Sequence, residues 1–203
     1  MVAALLKVGI EYYDGDDKHG AIVKKGKIGP NYFRFKNNGS EYFHRAKQDI
    51  HIFNNQIIPN MNILKRLFGI ANTLFRLEAV LADHQGQDMM PFTIRDLPEA
   101  APHRDWLKGE VSDLSFLSDI QDQWAWNIYL TQPISGGETC IYNEQDPSNL
   151  IANTAKVSCL PKLGNLLFFR STNVHEVKAT EGDRYTLSGF CGPTSNGKLL
   201  FWV

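Results

Sequence analysis

From about Met90 onward the chain is cut into short runs, and this constrains its fold more than any other feature. "PFTIRDL", "QWAWNIYLTQP", "GGETCIYN", "AKVSCLP", "GNLLFFRS", "VHEVKA", "RYTLSGFCG" and "KLLFWV" follow one another, each bounded by Gly, Pro, Asn or Asp. Such residues punctuate strands because they set turns or withhold a ladder donor. Many short strands at regular spacing bury their apolar faces in a sandwich or a small barrel. The expectation is an α+β, mainly β chain: a jelly-roll, cupin-like barrel with a helical layer on one side. No repeat, low-complexity tract or linker interrupts the 203 residues, a length that suits one core. Residues 1–203 are read as one domain, with a mixed part over 1–89 and the jelly-roll core over 90–203.

The first part changes period as it goes. "KVGIEYYDG" and "AIVKKGKIG" read as two short strands or a hairpin. "NYFRFKNNGSEYF" is aromatic-rich and is read either as a lid over the site or as a cover for the core; a lid role for residues 10–60 rests on Gly and aromatic content alone. From Pro59, Ile63, Leu67, Ile70, Leu74, Leu77 and Leu81 recur at helical spacing. That spacing predicts one long amphipathic helix starting near Pro59-Asn60, with its stripe in the core.

Bulk properties exclude more than they assign. With 21 basic and 22 acidic side chains the formal net charge is −1, which gives no general grip on nucleic acid or an anionic membrane. Lys24, Lys25 and Lys27 form a local basic cluster in a Gly-rich stretch, read as a solvated turn. "MVAALLKVG" is too short an apolar run for a signal peptide, and no window is long enough to cross a bilayer. Cys140, Cys159 and Cys191 are odd in number and widely spaced, so they are read as free thiols in a reducing, cytoplasmic setting.

"APHRDWLKGE" carries the chemistry. His103-Arg104-Asp105 matches the start of a kinase catalytic loop, but the position that should be Asn is Glu110. No DFG follows, no Gly-rich phosphate loop precedes, and the downstream half reads as strands. The alternative is a metal site. Residues i and i+2 of a strand share a face, so His103 and Asp105 aim an imidazole and a carboxylate at one point while Arg104 points away. A distant histidine would complete a 2-His-1-carboxylate triad, which leaves positions open on Fe(II). His175, just past "GNLLFFRS", is the candidate; His19, His44, His51 and His84 are read as surface or packing residues. Nine residues beyond His175, Arg184 and Thr186 share a strand face and offer a guanidinium and a hydroxyl to one carboxylate.

In order and spacing, "HRD", "GGETCIYN", "GNLLFFRSTNVHEV" and "GDRYTLSGF" together resemble the iron(II)/2-oxoglutarate-dependent oxygenases, nearest the prolyl-4-hydroxylase-like and small-molecule hydroxylase group. The likeness covers roughly residues 90–193. It implies a double-stranded β-helix, Fe(II) held by His103, Asp105 and His175, and 2-oxoglutarate anchored by Arg184 with Thr186. It also implies that O2 is consumed, that 2-oxoglutarate is decarboxylated to succinate, and that an unactivated C–H bond is hydroxylated. Asp105 stands where related halogenases carry Gly or Ala, so halogenation is disfavoured. Desaturation, cyclisation and epimerisation use the same metal site and stay open.

Strand parity adds further candidates. Asn127, Tyr129 and Thr131 share the polar face of their strand, and Asn127 and Tyr129 are expected to reach 2-oxoglutarate. Arg95, Arg170, Trp106 and Thr131 are candidate substrate contacts. A small molecule, an amino acid or specialised metabolite, is the expected substrate, with a protein side chain as the alternative. Two other classes compete: a cupin-like metal-binding barrel without 2-oxoglutarate, and a binding module that has lost the chemistry. The sequence leaves the oligomeric state unassigned.

Overall fold

The computed structural model describes residues 9–16, 22–36, 38–57 and 62–203. Its strands are β1 (Glu11–Asp16), β2 (Ile22–Ile28), β3 (Glu78–Leu81), β4 (Asp83–His84), β5 (Gln87–Asp88), β6 (Thr93–Asp96), β7 (Ala100–His103) and β8 (Trp124–Tyr129), followed by β9 (Ser135–Gly136), β10 (Thr139–Tyr142), β11 (Lys156–Cys159), β12 (Leu166–Arg170), β13 (His175–Val177), β14 (Thr180–Glu181), β15 (Tyr185–Pro193) and β16 (Lys198–Trp202). Three helices accompany them: α1 (Gly39–Ile52), α2 (Ile63–Phe75) and the short α3 (Leu107–Glu110).

The long strand β15 organises the larger sheet. One of its edges pairs with β8, which continues to β12. Its other edge pairs with β6 along Tyr185–Ser188 and with β16 along Phe190–Pro193. The β1–β2 hairpin extends this sheet through β6, and β3 closes its far side parallel to β16. A second sheet, in the order β11-β10-β13-β7, carries the metal-site strands. The chain is mainly β with the expected two-sheet, jelly-roll layout. It is not a closed barrel: among the described residues no ladder joins the two sheets.

The two faces of the larger sheet differ in chemistry. On one, Trp126, Phe201 and Phe168 are covered by α2, with Phe75 meeting Trp124 and Phe168 edge-on at 5.3 and 5.5 Å and Phe68 against Phe201 at 4.8 Å. On the other lie Thr186, Ser188, Asn127 and Arg95, around an internal cavity.

Two local expectations change. The helical period from Ile63 stops at Phe75, because Arg76 turns left-handed (φ 56°) and donates its N–H to Asn72 O. The Asn72 side chain accepts from Ala79 N, and residues 78–81 leave helix geometry to pair with β16. Edge pairing therefore overrides a period that Leu77 and Leu81 only seemed to extend. Of the expected stripe, Leu67 is buried, while Ile70 and Leu74 are 51% and 60% exposed. The expected start at Pro59-Asn60 lies outside the described residues; the cap is Asn62, whose side chain accepts from Lys65 N.

The second change is α1, inside the stretch read as a lid or a cover. Asn38 accepts from Glu41 N, an Asn-x-x-Glu cap at the helix start. Tyr32 and Tyr42 are 1% and 0% exposed and stack edge-on at 4.9 Å, so this part of the stretch covers the core. The Tyr42 hydroxyl donates to Val203 O at 2.6 Å and accepts from Met90 N at 2.9 Å. Tyr42→Phe strands both partners in a dry setting and is expected to lower unfolding free energy by about 1–3 kcal/mol. Urea denaturation measures it; an unchanged midpoint would show that water replaces the hydroxyl.

Candidate active site

β7 and β13 set the metal-binding geometry. His103 and His175 are direct cross-strand partners, with ring centroids 4.3 Å apart. Beyond that pair the register slips, since Val177 faces Ala100. Pro102, which has no N–H for a ladder, sits in this irregularity, the place where a strand tolerates proline. β7 ends at His103, so Asp105 is not in a strand, contrary to the i, i+2 argument. Its N–H donates to Ser171 O, and its own carbonyl accepts from Gln123 Nε2 and Ser171 Oγ. These bonds turn the side chain back to the histidines: Asp105 Oδ2 lies 3.4 Å from His175 Nε2 and 4.0 Å from His103 Nε2. Arg104 points outward to Gln145 O.

One donor atom from each of His103, Asp105 and His175 falls within 4.8 Å of the others. Each imidazole has its other nitrogen placed. Nδ1 of His103 lies 2.7 Å from Ala101 O and Nδ1 of His175 lies 2.9 Å from Asn173 O. A carbonyl only accepts, so the proton belongs on Nδ1 and Nε2 is left as the metal-binding lone pair. Burial, then the neighbouring His175, lower the His103 pKa, which keeps the ring neutral and ready to ligate. Desolvation works to raise the Asp105 pKa. The contact with His175, the electrostatic influence of the two imidazoles and the positive charge of Arg95 outweigh it and hold the carboxylate ionised.

The cavity behind the triad gathers the other polar candidates. Arg184 precedes β15 and is 2% exposed. Its Nε donates to Gly137 O at 2.9 Å and its NH2 group to Thr139 Oγ1 at 3.0 Å. Thr139 also lies 3.0 Å from the Tyr129 hydroxyl. The Gly136-Gly137 turn makes room for this: both have positive φ, and a Cβ at Gly137 would stand 3.2 Å from Arg184 Cδ. Thr186 is buried beside Ser188, whose hydroxyl lies 2.8 Å from Thr186 Oγ1 and 2.6 Å from Asn127 Oδ1. Among the described residues no carboxylate lies within ion-pair distance of Arg184. Burial lowers its pKa, with Tyr129 opposing. A guanidinium buried in this way calls for an anion.

The remaining candidates divide. Arg95 lines this inner cavity and also a larger one of about 200 Å³ on its outer side, where Trp106 is found too. Arg170 lies outside both, on the surface, with Nε 2.7 Å from Asp122 Oδ2 and its guanidinium over Trp124. Thr131 also lies outside both: it donates to Asp183 O and accepts from Tyr185 N, because its strand has ended and its hydroxyl ties two loops. Of the other histidines, His44 meets Gln48, His51 meets Asn55 and His84 stacks on Phe43, while His19 lies outside the described residues. Sequence reasoning missed Thr139 and Gln123, whose partners are distant in the chain. It also read Lys27 as a solvated turn, whereas Lys27 is 6% exposed and lines the outer cavity. All three cysteines are free, and no described helix is long and apolar enough to cross a membrane.

Facing sheets with a His-Asp-His cluster between them define the class of non-haem iron protein. The chain matches the 2OG-Fe(II) oxygenase superfamily over residues 95–192. It is a 2-oxoglutarate-dependent dioxygenase that uses Fe(II). No curated protein matches the sequence. Among solved structures, an N-substituted L-amino acid dioxygenase from Burkholderia ambifaria AMMD is similar, with a TM-score of 0.60 and 17% identity over 85% of this chain and 73% of that one. Its complex with alpha-KG gives a TM-score of 0.59 at 17% identity, covering 85% and 74%. A 2OG-Fe(II) oxygenase family oxidoreductase from Burkholderia pseudomallei gives 0.50 at 12%, covering 92% and 74%. At these identities the likeness is one of fold.

Proposed function

We propose that the chain, acting as one unit over residues 1–203, hydroxylates an unactivated C–H bond of a small molecule. The observation that carries this reading is two cavities meeting at Asp105 and Arg95. One contains Arg184, a buried cation with no ion-pair partner among the described residues, and the other has room for a substrate. In this reading His103, Asp105 and His175 hold Fe(II), with Nε2 presented by both histidines. Arg184 takes the distal carboxylate of 2-oxoglutarate through a charge-assisted fork, assisted by Thr186, Tyr129 and Asn127. When bound, the metal and 2-oxoglutarate supply the oxidising chemistry, with O2 as oxidant and succinate and carbon dioxide as products. The protein orients the two ligands in separate compartments and excludes water with the aromatic walls of Phe169, Phe190 and Trp106. The walls of the outer cavity favour a small molecule over a protein side chain. Three free thiols, two of them buried, suit a cytoplasmic protein.

Anaerobic protein mixed with Fe(II) and 2-oxoglutarate is expected to show the visible metal-to-ligand absorption of a chelate, and His175→Ala is expected to abolish it. No band from folded, metal-loaded protein would overturn the reading and return the chain to a cupin-like or non-catalytic role.

A further inference from the structure

The outer cavity has an unusual arrangement of charge. Lys27 faces Arg95 across the β2–β6 ladder, and Arg95 faces Thr186 across β6–β15. Cross-strand partners share a sheet face, and like charges placed opposite each other destabilise a sheet. Among the described residues the repulsion is relieved only in part, by Glu11 beside Lys27 and by the charge of Asp105 near Arg95. Lys27 reaches Glu11 at 3.7 Å, but that carboxylate is half-exposed and lies 3.5 Å from Arg45. Among the described residues the Arg95 guanidinium has no hydrogen bond or ion pair. Arg34 adds a third cation to the same wall.

Two further groups of this cavity are unsatisfied. Thr93, 1% exposed, and Trp202, 0% exposed, both line it, and neither Thr93 Oγ1 nor Trp202 Nε1 has a partner among the described residues. A buried polar group without a partner is costly. Lysine, arginine and tryptophan side chains offer only donors, and threonine offers one as well. The side-chain carboxylates of the cavity wall are Asp105, which faces the histidines, and Glu110, which is exposed. Burial lowers the Lys27 pKa; Glu11 opposes this, and Arg34, Arg45 and Arg95 reinforce it.

We infer that the outer cavity is a subsite for the oxyanion head of the substrate, held by Lys27 and Arg95 with Thr93 and Trp202 as further donors. The substrate class is therefore a small acid, a carboxylate or a phosphate ester, with its reacting carbon turned toward Asp105. Only the identification of this acid as the substrate rests on the oxygenase reading; binding of the anion does not.

The test is isothermal titration of anaerobic protein loaded with Fe(II) and 2-oxoglutarate. The probes are 3-phenylpropionate, phenyl phosphate and the uncharged 3-phenylpropionamide. At least one oxyanion is expected to bind about tenfold or more tightly than the amide, and the better of the two identifies the head group. Lys27→Met and Arg95→Met should each weaken that oxyanion about tenfold, whereas Lys27→Arg should retain it within a few-fold. Lys27→Met should also melt no lower than wild type, since it removes a like-charge contact. An amide that binds as well as the acids, no oxyanion binding at all, or an unchanged affinity in folded Lys27→Met would each overturn the inference. If the chelate band is missing while acid binding persists, the oxygenase reading fails and the subsite stands. A normal band without acid binding removes the subsite alone.

Discussion

Asp105→Asn is expected to reduce Fe(II) affinity by about 100-fold or more, and succinate formation should fall with it. Asparagine matches the shape of the side chain but lacks the charge and the two-sided acceptor that a hard cation needs. Loss of groups merely orienting a metal ligand commonly costs 10- to 100-fold, so loss of a ligand should cost at least as much. The backbone of Asp105 is fixed independently, through Ser171 and Gln123. The variant therefore isolates the side chain's chemistry from its placement, and its metal-free circular dichroism should match wild type. Acid should weaken metal binding in the wild type too, because protons compete for both imidazoles. With the His103 pKa below its ordinary value near 6.5, that loss should set in on the acid side of neutrality and not above it. Titration of Fe(II) between about pH 5 and 8 measures both effects. An Asn variant that binds Fe(II) as tightly as wild type would mean that the carboxylate serves the structure and not the metal.

How much of this site could be read from the chain depends on how far apart its parts lie in sequence. His103 and Asp105 stood out because two residues carry both the position and the chemistry, although the strand invoked to align them ends two residues too early. Alternation puts Asn127 and Tyr129 on one strand face, beside Ser188 and Arg184, whereas Thr131 lies past the end of the strand, where alternation has stopped. Thr139 was invisible because its importance lies in touching Tyr129 and Arg184, residues 10 and 45 positions away. Lys27 was hidden by company. Beside Lys24, which pairs with Asp14 on the outside, it looked like another solvated lysine. Only the pairing of β2 with β6 places it opposite Arg95. The fold shows the same division. Punctuated strands report themselves locally, whereas the end of α2 is decided by β16, over 120 residues downstream.

Arg184→Met is expected to raise the 2-oxoglutarate concentration needed for half-maximal turnover by about 10- to 100-fold, the range of one or two lost charge-assisted hydrogen bonds. Fe(II) binding should be unaffected, since Arg184 is not a metal ligand. Two opposing changes act on the stability of the unliganded variant. Gly137 O and Thr139 Oγ1 lose their donor, while the burial of a charge without a carboxylate is relieved. Thermal melting separates these from ligand binding. At 100 times its dissociation constant, 2-oxoglutarate should stabilise the metal-loaded wild type by about 2.7 kcal/mol, and at the same concentration the variant should gain much less. Arg184→Lys should fall between the two, because an ammonium keeps the charge but not the planar fork. If Arg184→Met kept the full 2-oxoglutarate shift, the distal carboxylate would have to lie on another cation. Arg95, which lines both cavities, is the residue placed to receive it, and the cosubstrate and substrate compartments would then exchange roles.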